Sequence, residues 1–299
     1  MCRQDVAVEL RRRELRDGGW SFGNYPQLGV EATCLAVLAL AAEMYGAATR
    51  SMSRLLSLQR HDGSWPAFAG DQEGSWTTAL AGLTLSRAES APRPRERAVS
   101  WLLNIKGREA DWLWRWKFKT TDRQTGINPE KFGWPWAPGT TSWVIPTAFA
   151  IIALKQFSAC NRTEAADRRI RIGVEMLLDR ACAGGGWNAG NRIAYGIRLA
   201  PHVEATAVAL IALQDEPRTS LIEQSLDWLR QQAATLHAVS SLSWSILSLF
   251  LFGMPVHDLK ARLAVQVDNP SLVRNNATLA VAALGLQCGE TIHPFALIR

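Results

Sequence analysis

The chain has 299 residues, of which 47% are hydrophobic and 20% charged, and its formal net charge is +6 at pH 7. This length and apolar content are enough to bury a large core. The longest apolar runs, ATCLAVLALAA and WVIPTAFAIIAL, are shorter than the roughly 20 residues that span a bilayer, so neither predicts a membrane span. No Pro/Ser-rich linker or low-complexity tract divides the chain, and we expect one domain over residues 1–299.

The N-terminal sequence MCRQDVAVELRRREL lacks the apolar core of a secretory signal peptide, which predicts a cytoplasmic protein. The cysteines are odd in number and scattered, which favours reduced core thiols over a disulfide framework. The basic residues form short clusters, at Arg11–Arg13 and around Arg169, and no nucleic-acid motif accompanies them. They predict solvated helix faces and no nucleic-acid partner.

Two kinds of helix alternate along the chain. Amphipathic segments predict helices near residues 5–16, 50–60, 95–106, 166–181, 219–234 and 256–267. Each is followed by an apolar phrase, and these phrases begin at Glu31, Trp76, Ile145, Glu204, Ser243 and Asn276. Aligned on a hydroxyl, the phrases place Thr33, Thr78, Thr147, Thr206, Ser245 and Thr278 in equivalent positions. A helix that is apolar all round is buried all round, so these six helices should lie inside the other six.

A glycine and a tryptophan recur where an amphipathic helix ends. The phrases are RELRDGGW ending at Trp20, SLQRHDGSW at 57–65 and ACAGGGWN around Trp187. Glycine lets the backbone turn out of a helix, and tryptophan supplies a large apolar wedge under the turn. Six such helix pairs predict an all-α double-layered ring. An open solenoid of TPR or HEAT type is the alternative, but it would expose the apolar helices along a wet concave surface.

Helix pairs joined by Q-x-x-x-G-x-W turns resemble the squalene/hopene cyclase and protein prenyltransferase β-subunit superfamily, and the resemblance covers nearly the whole chain. The second turn carries the full set of Gln59, Gly63 and Trp65, whereas Glu14 and Ala181 replace Gln in the first turn and in the turn at Trp187. The resemblance implies an α6–α6 toroid of the bacterial single-domain type. It also implies that Gln59 ties its side-chain amide to a neighbouring helix end.

The chemistry of that superfamily does not carry over in full. Its class II cyclases protonate an alkene or epoxide with the central acid of a D-x-D-D motif, which this sequence lacks. Its prenyltransferases hold zinc with an Asp-x-Cys pair and a distant His, for which Asp179, Cys182 and His202 are the nearest match. Asp179 and Cys182 stand three apart instead of two and end an amphipathic helix. We therefore expect no zinc, no other cofactor and no squalene cyclisation by this chain.

The starts of the buried helices should face the mouth of the ring, where aromatic and polar side chains converge. They include Glu31, Trp76, Trp143, His202, Glu204, Trp244 and Asn276. Glu31, His202 and Glu204 are the candidates for catalysis. Glu31 and Glu204 belong to opposite repeats, so we expect them not to flank one reacting atom. A carboxylate in the first turn of a helix also has a purely structural use, because it complements the helix dipole.

Two loops could complete a ligand site at the mouth. Residues 108–142 form an insertion with Trp112, Trp114, Trp116, Trp134 and Trp136, and Trp143 follows it. A long irregular loop of this kind is often a lid, and Trp134 and Trp136 are its candidate ligand contacts; a self-packed surface loop is the alternative. In residues 184–196, Asn188, Asn191, Arg192 and Tyr195 could orient a polar or diphosphate head group.

The leading interpretation is an enzyme that transforms an isoprenoid or similar elongated apolar substrate in a central aromatic-lined cavity. A non-catalytic lipid-binding or scaffold protein on the same barrel is the first alternative. Carbohydrate processing by paired carboxylates beside aromatic platforms is the second. The expected partner is an isoprenoid or lipid-like small molecule, with peripheral contact to a membrane left open and the need for a partner subunit undetermined.

Overall fold

The computed structural model describes residues 2–23, 25–41, 47–88, 91–120, 127–159 and 161–297. The helices in these ranges are α1 (Cys2–Arg12), α2 (Val30–Leu40), α3 (Ala47–Ser57), α4 (Thr77–Arg87), α5 (Pro92–Asn104), α6 (Trp112–Thr120), α7 (Val144–Ser158), α8 (Glu164–Arg180), α9 (Val203–Ala212), α10 (Ser220–Ala233), α11 (Val239–Leu251), α12 (His257–Gln266) and α13 (Asn276–Gln287). Two 3₁₀ turns, Arg108–Ala110 and Pro270–Leu272, and a hairpin of β1 (Ile193–Ala194) and β2 (Ile197–Arg198) are also present.

Six helices form a closed inner ring. In the order α2, α4, α7, α9, α11 and α13, each contacts the next, and α13 contacts α2. Helices α1, α3, α5, α8, α10 and α12 lie outside them, and α1 of the first pair contacts both helices of the sixth. The all-α toroid and its closure are confirmed, and each predicted outer helix begins and ends within a few residues of the observed one.

Burial follows from the apolar sequences of the inner helices. In α2, every residue from Ala32 to Leu40 is buried, and α9 is buried from Ala205 to Ala212. The outer helices bury a single face; α5, for example, buries Ala98, Val99 and Leu102. Apolar area removed from water stabilises the fold by about 25 cal/mol per Å², so the inner ring is the main source of stability.

The recurring tryptophan joins three elements by hydrogen bonds. The Trp65 backbone N–H donates to the Thr78 hydroxyl of α4 at 2.9 Å, and that hydroxyl donates to the Trp65 carbonyl at 3.3 Å. The Trp65 indole N–H donates to the Leu55 carbonyl of α3 at 2.7 Å. Trp65 is fully buried. The turn is thus fixed to the outer helix before it and the inner helix after it.

The same arrangement occurs in four of the six repeats. The tryptophan, hydroxyl and carbonyl sets are Trp20, Thr33 and Leu10; Trp65, Thr78 and Leu55; Trp134, Thr147 and Leu102; and Trp187, Thr206 and Leu177. Trp134 is therefore the core wedge of the third repeat, with 2% of its surface exposed, and not a lid residue over the mouth. In the fifth repeat, the Ser245 hydroxyl instead donates to Ser241 within α11.

Gly63 allows the second turn to approach the next outer helix. Its φ is +92°, and a Cβ at this position would lie 2.4 Å from the Arg97 carbonyl oxygen of α5. The Gln59 amide donates to the Gly63 carbonyl at 3.0 Å and to the Pro94 carbonyl in the first turn of α5 at 2.8 Å. The expectation that Gln59 ties the turn to a neighbouring helix end is confirmed for this residue.

Arginines join neighbouring helix pairs, which corrects the expectation that the basic clusters are only solvated helix faces. Arg13 donates to the Val273 carbonyl at 2.5 Å across the seam that closes the ring. The Arg169 guanidinium is buried and lies 3.5 Å from the centroid of the Trp134 ring, and it donates to the Gly133 carbonyl at 2.7 Å. Backbone carbonyls at the turns need donors, and the guanidinium reaches several of them at once.

Part of the insertion is helical, which the loop prediction did not include. Helix α6 carries Trp112 and Trp116 with 80% and 61% of their surfaces exposed. Between them, the Trp114 ring is covered by Arg108, whose guanidinium carbon lies 4.0 Å from the ring centroid, and by Lys117 at 4.7 Å.

Candidate functional site

A cavity of about 300 Å³ opens at the mouth of the barrel, where the inner helices begin. Its lining residues are Trp136, Trp143, Ile145, Ala189, His202, Val203, Glu204, Ala205 and Ser241. The insertion and the starts of α7, α9 and α11 therefore meet at one cavity. Of the predicted ligand and catalytic residues, it brings together Trp136, Trp143, His202 and Glu204.

Trp136 is held against the inner ring through backbone and ring contacts. The Trp76 backbone N–H donates to the Trp136 carbonyl at 3.0 Å. The two indole rings meet edge to face, with centroids 5.2 Å apart and planes 87° apart. Such a contact contributes about 0.5–1.5 kcal/mol beyond its buried area. The Trp136 ring is nevertheless 36% exposed, so it has surface left for a ligand.

A column of aromatic rings leads from the mouth into the barrel. Trp76 follows Trp136, and the Trp76 and Phe149 ring centroids are 5.5 Å apart. The Phe149 and Trp244 centroids are 5.8 Å apart, and the Trp244 and Phe295 centroids are 5.4 Å apart. Trp244 and Phe149 are buried, and Trp76 is partly buried. The predicted aromatic residues Trp76 and Trp244 thus lie within one connected column. Phe149 and Phe295 belong to it too, although sequence reasoning did not single them out.

Glu31 and Glu204 interact across the mouth. Burial, and then the charge of Glu204, raise the pKa of Glu31 to about 7 from its ordinary 4.5. The dipole of α2 favours the ionised carboxylate and so lowers the pKa of Glu31. Its effect of about 0.3–1 kcal/mol is smaller than the roughly 3 kcal/mol that the raised pKa represents. The two helices do stand opposite each other in the ring, as predicted. That their carboxylates do not flank one reacting atom stays a prediction, since the charge of Glu204 is only the second cause of the shift.

Glu204 and His202 occupy the start of α9. The Ser241 hydroxyl of α11 donates to a Glu204 carboxylate oxygen at 3.1 Å. The His202 backbone N–H donates to the Trp187 carbonyl at 2.8 Å, which fixes the start of α9 to the fourth tryptophan turn, and its side chain is exposed. A carboxylate, an imidazole and a hydroxyl therefore share the polar side of the mouth cavity.

A buried ion pair anchors the insertion beside the mouth. The Glu109 carboxylate accepts from the Ser142 backbone N–H at 3.1 Å and lies 3.6 Å from the Arg180 guanidinium at the end of α8. Arg180 also donates to the Gly190 carbonyl at 2.9 Å. Burial lowers the pKa of Arg180, and the Glu109 charge opposes that effect. Sequence reasoning missed this pair, since neither residue belongs to a recognisable motif.

The second predicted loop divides into a structural part and an exposed part. The Asn188 side chain is buried and closes a turn, accepting from the Gly190 and Asn191 backbone N–H groups at 3.1 Å each. Asn191 is partly buried, and Arg192 is exposed. Tyr195 lies at the tip of the hairpin with 89% of its surface exposed. None of these four lines the mouth cavity.

Asn276 lies at the seam between the last and first repeats. Its amide donates to the Ser21 carbonyl at 2.9 Å, and its side-chain oxygen accepts from Arg13 at 3.3 Å. Only 2% of its surface is exposed. These contacts give Asn276 a role in closing the ring, and it does not line the mouth cavity.

The three residues nearest to a zinc motif lie in different environments. Asp179 accepts from the Asn128 backbone N–H at 3.4 Å, Cys182 is buried beside α8, and His202 lies at the mouth. Among the described residues, no group of three or more His, Cys, Asp or Glu side chains is arranged to hold a metal ion. Within that part of the chain there is likewise no helix both long and apolar enough to cross a bilayer.

Comparison with known proteins supports the fold. A protein from Actinoplanes aligns with a TM-score of 0.54 and 14% identity over 92% of this chain and 81% of its own. The type II terpene cyclase MstE from Scytonema aligns with a TM-score of 0.54 and 16% identity over 99% of this chain and 80% of its own. A structure of an MstE variant, in complex with its substrate geranylgeranyl dihydroxybenzoate, gives a TM-score of 0.37 and 18% identity over 77% of this chain and 78% of its own. No family model and no curated protein matches the chain.

Proposed function

We propose that this chain is a terpene-cyclase-like protein that binds and transforms an isoprenoid, or a similarly elongated apolar molecule, along its aromatic column. The observation that carries the proposal is the connection between that column and the mouth cavity: Trp136 touches both. The fold shared with a type II terpene cyclase supports the same substrate class.

The column suits a greasy substrate that becomes cationic. Apolar ligand surface gains about 25 cal/mol per Å² when it leaves water, and the ring faces stabilise a nearby cation by about 0.5–2 kcal/mol each. The buried Phe149 and Trp244 offer no competing nucleophile. Water is excluded from such surroundings, so a carbocation formed there would survive long enough to cyclise.

Glu31 is the proton donor in this proposal. With a pKa of about 7, the Glu31 carboxyl is half protonated near neutral pH. It can therefore supply the acidic proton that class II cyclases take from the D-x-D-D motif, which this sequence lacks. The acid O–H gives its proton to one carbon of an alkene; the π electrons form the new C–H bond, and the other carbon becomes cationic. The Glu31 carboxylate is left behind, and loss of a proton from the cyclised cation restores the acid. Burial, and then the charge of Glu204, keep the pKa of Glu31 high until the alkene arrives.

Replacement of Trp136 by Ala tests the ligand site. Because Trp136 is part exposed and its backbone contact to Trp76 remains, we expect the melting temperature to fall less than in a turn variant such as Trp65→Ala. Binding of farnesyl diphosphate or farnesol, measured by calorimetric titration, should weaken at least tenfold, as for loss of a binding hot spot. Trp116→Ala, which removes an exposed ring from α6, is the matched control and should bind as the wild type does.

Glu31→Gln separates catalysis from binding. The amide keeps the shape of the side chain but carries no acidic proton, so the variant should bind farnesyl diphosphate and form no cyclised product. If wild type and variant bind equally and neither forms product with any isoprenoid tested, the chain is a non-catalytic lipid-binding protein. Unchanged affinity in Trp136→Ala would contradict the site itself.

The interaction of Glu31 with Glu204 favours a second candidate, glycoside hydrolysis. A carboxyl group whose pKa is raised by burial and then by a second carboxylate, beside the partly exposed rings of Trp136 and Trp143, matches the acid of such a pair. Oligosaccharide binding that exceeds isoprenoid binding, and is weakened by Trp143→Ala, would favour this function over the first.

A further inference from the structure

A second cavity, of about 580 Å³, lies at the end of the barrel opposite the mouth. Inner helices α2, α4 and α13 end around this lower cavity, and residues within 291–297 form one of its walls. Its volume is within the roughly 300–1,000 Å³ of small-molecule sites. Apolar side chains form much of the lining, among them Leu38, Ile292, Pro294 and Leu297. No ring of the aromatic column lines it.

The Arg87 guanidinium, at the end of α4, forms part of the wall of the lower cavity. Its Nε donates to the Pro294 carbonyl at 2.8 Å, and its Nη2 donates to the His293 carbonyl at 3.1 Å and to the Ala296 carbonyl. These bonds fix the guanidinium in place. They leave Nη1 without an acceptor in the part of the chain that the structure describes, so one end of a cation remains available to a ligand.

Arg87 lacks the counter-charge that two more deeply buried arginines have. Burial lowers the pKa of Arg87. The same effect at Arg169 and Arg180 is opposed by the charge of Glu109. Among the described residues, no carboxylate forms an ion pair with Arg87. A charge that is taken out of water is costly unless it is paired, so this wall favours an anionic ligand.

Gln287, near the end of α13, brings a second polar group to the lower cavity. The side chain is 3% exposed, and its amide nitrogen has no hydrogen-bond partner. A buried N–H without an acceptor costs stability, because it has lost water and gained nothing in return. The terminal amide of glutamine turns readily about its last bond, so its N–H can point at a ligand oxygen.

We propose that the lower cavity binds a monocarboxylate with an apolar tail, such as a medium-chain fatty acid. The carboxylate accepts from Arg87 Nη1 and from the Gln287 amide, and the tail lies against Leu38, Ile292 and Leu297. An arginine suits this head group because the directions of its N–H donors match the oxygens of a carboxylate. The site is separate from the mouth cavity and does not depend on the proposed function.

Binding of decanoate, measured by calorimetric titration, tests the site against two control ligands. Decanol has a tail of the same length without the charge, and acetate has the head group without the tail. The wild type should bind decanoate at least about tenfold more tightly than either control. Against decanol, that factor is what a hydrogen bond to a charged group contributes; against acetate, it comes from the apolar area that the tail buries.

Two variants remove the proposed donors. Gln287→Leu replaces the unpartnered amide by an apolar group of similar size, so it should fold as stably as the wild type or more so. It should weaken decanoate binding at least about tenfold and leave decanol binding nearly unchanged. Arg87→Gln removes the charge while Gln156 and Gln214 still hold the tail segment, and it should weaken decanoate further. If Arg87→Gln does not fold, Gln287→Leu decides the question.

Trp136→Ala distinguishes the lower cavity from the mouth, and it should bind decanoate as the wild type does. A wild type that binds decanoate no better than decanol or acetate would overturn the lower site, as would full affinity in Gln287→Leu; either result leaves the proposed function standing. Loss of decanoate binding in Trp136→Ala would place the acid at the mouth and also overturn the lower site. Failure of farnesol to bind the wild type, in contrast, would count against the proposed function alone.

Discussion

Tryptophans serve two different purposes in this barrel, and their surroundings distinguish them. In the turns, Trp20, Trp65, Trp134 and Trp187 are almost fully buried, and each indole N–H and backbone N–H has a defined acceptor. At the mouth, Trp136 and Trp143 keep exposed surface and line a cavity. The first group holds helices together, and the second leaves surface for a ligand. Residue type alone does not distinguish the two groups. In three of the four turns, however, a threonine thirteen residues after the tryptophan accepts a hydrogen bond from its backbone N–H, and this spacing identifies a turn tryptophan.

The two regions also differ in how their polar groups affect stability. Each turn pairs its buried donors and acceptors, as at Trp65 and Thr78. At the mouth, burial and then the charge of Glu204 make the ionised form of Glu31 unfavourable and raise its pKa. Groups that cost stability are typical of functional sites, where an active residue is kept despite that cost.

The largest effect should come from Trp65→Ala. The variant loses a fully buried ring and leaves the Leu55 carbonyl without its donor, so the free energy of unfolding should fall by about 3–5 kcal/mol. Urea unfolding followed by circular dichroism measures this. Trp136→Ala, in the same assay, should lose far less because its ring is part exposed. Equal losses for the two variants would remove the distinction between turn and mouth.

Glu31→Gln should stabilise the protein at high pH. The folded chain keeps a proton on Glu31 up to about pH 7, while the unfolded chain releases it near 4.5. Wild-type stability therefore falls as the pH rises through this window, and the variant lacks that fall. Its gain over wild type should be near zero at pH 4 and up to about 3 kcal/mol at pH 8.

Glu204→Gln is the companion to that measurement. With one carboxylate removed, the second cause of the raised Glu31 pKa disappears, so the pH dependence of unfolding should become shallower. Urea titrations between pH 4 and 8 compare the three proteins. Identical pH dependence in wild type and Glu31→Gln would show that Glu31 does not hold its proton in the folded state.

The repeat pattern was predictable because it is written in local sequence. Six helices are apolar on every side and carry a hydroxyl at a constant position. Such helices cannot face water, so they predict a buried inner ring independently of the loop sequences. The same pattern located the mouth, since the starts of parallel inner helices must lie at one end. Trp143, His202 and Glu204 followed from that argument and Trp136 from the position of the insertion, and the four meet at one cavity.

The missed features depend on contacts between residues far apart in the chain. Trp65 lies 10 residues after Leu55, whose carbonyl accepts from its indole N–H, whereas Trp134 lies 32 residues after its own acceptor, Leu102. The insertion separates the third outer helix from its turn, and this long spacing hid the fact that Trp134 is the turn tryptophan of the third repeat. Glu109 and Arg180 pair across 71 positions of sequence. Phe295 reaches the column only because Arg87, Gln156 and Gln214 hold its backbone from three different helices.

The smallest expected effect tests the hydroxyl that defines each tryptophan turn. Thr78→Val keeps the shape of the side chain but leaves the buried Trp65 backbone N–H without an acceptor, which should cost about 1–3 kcal/mol. Thr78→Ser retains the oxygen and should lose about 1 kcal/mol or less.

Thr84→Val is the matched control in the same helix. Its hydroxyl is equally buried, but it donates to the Leu80 carbonyl within α4, and that carbonyl remains in a helical position where backbone N–H groups serve it. The control should therefore lose less than Thr78→Val, as measured by urea unfolding of the two proteins side by side. If the two valine variants are equally stable, the hydroxyl does not fix the turn, and the tryptophan ring alone separates the turns from the mouth.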